Sequence, residues 1–167
     1  MKPLPNKIIL ASTFRHYFLG IAIALNDKDS QYHMVFIDQK FDDKRNLFLH
    51  AAKNHPFPFN MVSCLPTQGT GKNKRKVRLN SFSILKNLLH KLKPTEIFTG
   101  NDRRLEFQFS IQYAKKYISS NTIGSYIDDG TGSYIDAKQF HFTKFLADRY
   151  IDTFIKKIAY GPWYKHP

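Results

Sequence analysis

The chain has 167 residues, 42% of them hydrophobic and 23% charged, and 26 Lys+Arg against 13 Asp+Glu give a formal net charge of +13. That length supports one domain with a real core, and that balance excludes an intrinsically disordered chain. The single cysteine, Cys64, excludes an internal disulfide and fits a reducing compartment. Its apolar surroundings read it as a small buried residue. No stretch approaches the ~20 apolar residues that span a bilayer, and the first residues lack the core and cleavage site of a signal peptide. The sequence therefore reads as that of a soluble cytoplasmic protein whose basic surface attracts polyanions: nucleic acid, phosphorylated glycan, anionic lipid or nucleotide.

Strand and helix signals alternate along the chain. Residues 7–11 are short, apolar and β-branched and predict a first strand. Residues 14–26 carry helical apolar spacing, with Ser12 or Thr13 as N-cap. A strand over 32–37, a helix over 43–54 and a strand over 59–65 follow. Residues 66–76, rich in Gly, Pro and cations, predict a surface loop. A helix over 81–92 places Leu85, Leu88, Leu89 and Leu92 on one stripe. The remaining elements are a strand over 96–99, a helix over 103–119, a strand over 122–127 and a helix over 143–159. This alternation predicts a Rossmann-like α/β fold, a mostly parallel sheet with helices on both faces. Such sheets bind ligands beyond the carboxyl ends of their strands. The pattern therefore gathers Ser12 and Thr13, Gly100, Asn101 and Asp102, and Asp128, Asp129 and Gly130 on one rim.

The stretch from Ile127 to Tyr134 carries the most chemistry. Asp128 and Asp129 sit at the tip of an apolar strand, and Gly130, Thr131 and Gly132 let the chain turn with its N–H groups exposed. A carboxylate there is placed to accept a proton from a substrate hydroxyl as a general base. A solvated Asp-Gly turn fits the same spacing, and two adjacent acids also suit Mg²⁺. The phosphotransfer signature with two aspartates one residue apart fails, because Ile127 would occupy the nucleophile position. A P-loop at Gly69–Asn73 fails as well: the four-residue gap between glycines is missing, and Asn73 replaces the Ser or Thr after Lys72.

The acid–acid–glycine triplet followed by Thr131-Gly132-Ser133-Tyr134, together with Phe98-Thr99-Gly100-Asn101-Asp102-Arg103-Arg104-Leu105-Glu106-Phe107-Gln108 upstream, resembles the bacterial sialyltransferases that act on lipooligosaccharide or build polysialic acid. The resemblance is carried by residues 95–140 and elsewhere by element order alone. It implies a two-domain glycosyltransferase of the GT-B type, with two Rossmann-like domains facing a cleft. Sialic acid would pass from CMP-sialic acid to a glycan hydroxyl with inversion, without a metal or other cofactor. It gives the general-base role to Asp128, with Asp129 second; with the rim position of the strand tips, Ser12, Thr13, Gly100, Asn101, Asp102, Gly130 and Thr131 are expected to contact the acceptor. In the family a His-Pro motif of the second domain assists departure of CMP; here His-Pro occurs at His55-Pro56, in an expected loop, and at His166-Pro167. With 167 residues, the chain corresponds to the acceptor-side domain alone, with the donor-binding domain absent, and is expected to be inactive without it. A bacterial location at the inner membrane, peripheral to its anionic lipid, fits the charge.

Lys72, Lys74, Arg75, Lys76 and Arg78 cluster within seven residues. They read either as a solvated loop or as a contact for an anionic glycan or lipid. The loop lacks the interleaved aromatics of a nucleic-acid stacking platform, which argues against nucleic acid. The competing function is a non-catalytic α/β module that binds an anionic glycan or lipid, or nucleic acid. The seven histidines show no metal-ligand spacing. His16 either faces the cleft or, the commoner case, is packed by its neighbours. Arg103 and Arg104 open a helix against its dipole, which calls for a partner such as Glu106. The aromatic turn around Trp163 offers a surface for a second domain, for a membrane or for homodimer formation.

Overall fold

A computed structural model of the chain describes residues 3–37, 46–66, 73–101, 104–127 and positions 155, 157 and 158. The elements run β1 (Asn6–Ala11), α1 (Phe14–Asn26), β2 (Gln31–Phe36), α2 (Leu47–Asn54), β3 (Met61–Cys64), α3 (Lys74–Leu92), β4 (Glu96–Thr99), α4 (Leu105–Tyr117) and β5 (Ile123–Tyr126). The five strands form one sheet in the order β3-β2-β1-β4-β5. Every pairing is parallel, from Ile8 opposite His33 and Ile97 to Phe98 opposite Ser125.

Alternation along β1 explains the layers. Ile8 and Leu10 point to one face and join Leu85, Leu89 and Leu92 of α3 and Phe109 and Ala114 of α4. Ile9 and Ala11 point to the other and join Tyr17 and Ala24 of α1 and Leu49 and Ala52 of α2. A strand covered on both faces needs apolar residues at consecutive positions, which is why Ile8, Ile9, Leu10 and Ala11 read as an unbroken run. Each is 2% exposed or less, and each large one contributes roughly 1.5–3 kcal/mol by its burial. Helix α1 approaches the sheet at Gly20, where a Cβ would lie 2.8 Å from Met34 Cε.

The amino end of the sheet is tied by charge. Lys7 Nζ lies 2.9 Å from Asp27 Oδ2 and 3.2 Å from Glu96 Oε2. The Tyr32 hydroxyl donates to Asp27 Oδ2 at 2.8 Å. The bond from Lys7, then that from Tyr32, hold the Asp27 carboxyl well below the usual carboxylate range. Burial works against the Lys7 charge, but its bonds to Asp27 and Glu96 outweigh this and raise its pKa. Burial and then the bond to Asp27 push the Tyr32 phenol up to about 12.

Two expectations are corrected. Lys74, Arg75 and Lys76 do not belong to a surface loop; they form the first turn of α3, which begins seven residues before the expected Ser81. Lysine and arginine are good helix formers, and no Gly or Pro follows Asn73 within the helix, so propensity prevails over charge as a loop signal. The core-facing side of α3 also starts early, since Val77 and Arg78 are already half-buried. Cys64 is half-buried rather than buried, with its thiol 3.2 Å from the Leu65 carbonyl. Helix α2 begins at Leu47, where Asn46 Oδ1 caps the Leu49 N–H at 3.1 Å. Positions 155, 157 and 158 are helical; the rest of the helix expected over 143–159, and Trp163, lie outside the described residues.

Candidate functional site

In a sheet of this order, β1 sends its crossover to one face and β4 to the other, so their carboxyl tips part. That reversal is where doubly wound folds bind ligands. Ser12 and Thr13 follow β1 directly, and Gly100 and Asn101 follow β4, on the same rim. Asp102, Asp128, Asp129, Gly130, Thr131, His166 and Lys72 lie outside the described residues. Ile127, the residue before the acidic pair, is buried, and its N–H donates to the Thr99 carbonyl at 2.7 Å.

Thr13 and Ser12 divide two tasks. Thr13 is the N-cap of α1: its Oγ1 accepts from the His16 N–H at 3.3 Å, and its carbonyl accepts from the Tyr17 N–H. This is how a β-region threonine ends a strand tip and starts a helix. Ser12 instead holds the His16 ring. Its backbone N–H donates to Nδ1 at 3.3 Å, and its Oγ lies 3.1 Å from the same nitrogen. A nitrogen that accepts from an N–H bears a lone pair, so in the neutral ring the proton sits on Nε2.

His16 is 2% exposed. It is packed by its neighbours, as helix histidines commonly are, yet it is packed at the reversal itself. Its Nε2 end lies against Gly100: a Cβ built there would be 1.9 Å from Nε2, 2.2 Å from Cδ2 and 2.4 Å from Cε1. Only glycine leaves room for the ring. Thr99 shapes the same turn, because its Oγ1 accepts from the Asn101 N–H at 3.1 Å and donates to the Asn101 carbonyl at 3.1 Å. The outcome is an imidazole with a defined tautomer bridging the tips of β1 and β4, beside an exposed Asn101. Half-buried Ser12 and exposed Asn101 can present hydrogen-bonding groups to a hydroxyl-rich ligand at this rim, with His16 and Gly100 packed beneath them.

The clustered cations lie elsewhere. Lys74, Arg75 and Lys76 are exposed on the first turn of α3, whereas Arg78 turns inward to an ion pair with Glu106 of α4. Glu106 is 3% exposed, and its Oε2 has no hydrogen-bond partner among the described residues. Glu106, expected as a partner for Arg103 or Arg104, forms an interior pair with Arg78 that joins α3 to α4. Among the described residues, no three His, Cys, Asp or Glu side chains gather as a metal site, and no helix is long and apolar enough to cross a membrane. His55 caps the end of α2 and is exposed, far along the chain from the rim residues.

The contact between His16 and Gly100 was not drawn from the sequence. Its only linear trace is Ser12 four residues before His16, joined to a glycine directly after the fourth strand.

The sheet order and the convergence at its reversal define a doubly wound α/β domain with Rossmann-like topology. No family model matches the chain, and no curated protein matches it.

Proposed function

We propose that the chain is the acceptor-side domain of a sialyltransferase-like glycosyltransferase, and that the rim around Ser12, His16 and Gly100 receives an acceptor sugar. Asp128 removes the proton from the acceptor hydroxyl as its oxygen attacks the anomeric carbon of sialic acid. The bond to CMP breaks, and configuration inverts. The donor is held by a second domain across the cleft, in a GT-B-type arrangement.

One observation carries this reading. The Ile127 N–H bonds the Thr99 carbonyl, so the residues preceding Asp128 and preceding Gly100 are hydrogen-bonded neighbours. The two segments that resemble the sialyltransferases thus begin at the ends of adjacent parallel strands, β4 and β5. The test is transfer of sialic acid from CMP-sialic acid to a galactose-terminated glycan by the full-length gene product. Transfer should be present in the wild type and lost in an Asp128→Asn variant that keeps its fold.

A further inference from the structure

Helices α3 and α4 pack side by side on one face of the sheet, through the Arg78–Glu106 pair and through Phe82 stacked on Phe109 with centroids 4.7 Å apart. Both run antiparallel to the strands they follow, so both begin at the carboxyl rim. Their outer surface carries exposed cations and no exposed acid. Helix α3 contains Lys74, Arg75, Lys76, Arg78, Lys86 and Lys91 and no acid at all. Helix α4 ends in Lys115 and Lys116, and its one acid, Glu106, is buried against Arg78. With Lys93 at the end of α3, eight cations are exposed on this helix pair and no exposed acid accompanies them.

Their placement is broad. Lys74, Arg75 and Lys76 sit at the rim end, Lys91, Lys93, Lys115 and Lys116 at the opposite end, and Lys86 between. Helix α3, 19 residues long, spans ~28 Å at 1.5 Å per residue. Its solvent line runs Lys76, Asn80, Ser83, Asn87, Lys91, all exposed, so three neutral hydrogen-bonding side chains lie between charges at its two ends. Rings available for base stacking are scarce. Tyr113 is covered by Lys86 at 5.9 Å and bonded to His90, and exposed Tyr117 has Lys116 over it at 5.1 Å.

We propose that this face docks on an anionic membrane surface, its lysines meeting phosphate-bearing lipid headgroups and Asn80, Ser83 and Asn87 hydrogen-bonding between them. A plane of negative charge matches cations spread over both ends of two parallel helices better than a point ligand does. Lysines near such a surface each contribute about fivefold in partitioning. The surface stands on the charge of this face alone and not on the function assigned to the rim. With the face down, the carboxyl rim opens along the membrane plane, within reach of a lipid-carried acceptor.

The experiment is flotation of the full-length protein with vesicles of phosphatidylcholine alone or with about 30 mol% phosphatidylglycerol, at salt raised from about 0.05 to about 0.5 M. Co-flotation with the anionic vesicles alone, lost at high salt, is expected. Lys76→Gln/Lys91→Gln should lower partitioning by about 25-fold, while Arg15→Gln/Lys28→Gln, with the same loss of charge on other parts of the chain, should lower it by less than about threefold. Equal losses in the two pairs would reduce the effect to net charge and overturn the proposal. So would flotation that depends on the exposed Phe14 and Phe18 of α1 instead, tested as Phe14→Ser/Phe18→Ser. Absence of flotation overturns it as well, and steep, salt-sensitive binding of a DNA duplex in that case would assign the face to nucleic acid.

Discussion

A methyl group at Gly100 has no space to occupy. In Gly100→Ala the new Cβ would lie 1.9–2.4 Å from three atoms of the His16 ring, so the ring must leave its buried position. Overpacking of this kind costs about 1–3 kcal/mol. Displacing the ring also breaks its bonds to the Ser12 N–H and Oγ, about 1 kcal/mol each at most once water competes. The expected loss is therefore about 2–4 kcal/mol, a large part of the 5–15 kcal/mol typical of a domain. Urea unfolding of the wild type, Gly100→Ala, His16→Ala and the double variant measures it. With the ring already gone, the Gly100→Ala change should cost under about 1 kcal/mol, so the cycle should show coupling of about 2 kcal/mol. A Gly100→Ala protein as stable as the wild type, or two losses that simply add, would refute the contact between β4 and α1.

Asp27 keeps its charge far into acid because Lys7 and Tyr32 bond it. Its folded pKa is depressed, so its contribution is present above the ordinary carboxylate range near pH 4 and is lost as pH falls toward the folded pKa. Urea midpoints measured between about pH 6 and pH 2.5 should show a shallower acid loss in Asp27→Asn than in the wild type; parallel curves would contradict the network. For the interior pair, Arg78→Met strands the Glu106 carboxylate and should cost about 3 kcal/mol, whereas Arg78→Met/Glu106→Leu should recover most of it, read by the same unfolding assay. Equal stabilities for these two variants would show that the pair is not buried in solution.

Much of the fold is written locally. Helix α1 spans the expected residues 14–26, and β4 the expected 96–99, because apolar periodicity and the Thr13 cap act over a few neighbours. The start of α3 was hidden because Lys74 to Lys76 look like a loop when charge is weighed, although their helix propensity favours the helix they form; what the sequence could not show is that Arg78 turns inward to Glu106, 28 positions away. The rim was legible as a place, since parallel strands put Ser12 and Gly100 at one end. Its internal geometry was not. Nothing near Gly100 in sequence reveals the imidazole 84 positions earlier, and nothing near His16 reveals that its neighbour is a glycine. Asp128 was singled out by its own segment and lies outside the described residues; Ile127, the residue before it, is bonded to Thr99 of β4.

The proposed chemistry turns on Asp128 acting at this rim. The most direct measurement is the initial rate of sialic acid transfer from CMP-sialic acid to a galactose-terminated glycan by the full-length gene product, with Asp128→Asn and Asp129→Asn compared at equal folded concentration. Loss of a general base should lower the Asp128→Asn rate by about 10²–10⁴-fold, with Asp129→Asn affected far less. A rate for Asp128→Asn within about threefold of the wild type, or no transfer by the wild type itself, would contradict it.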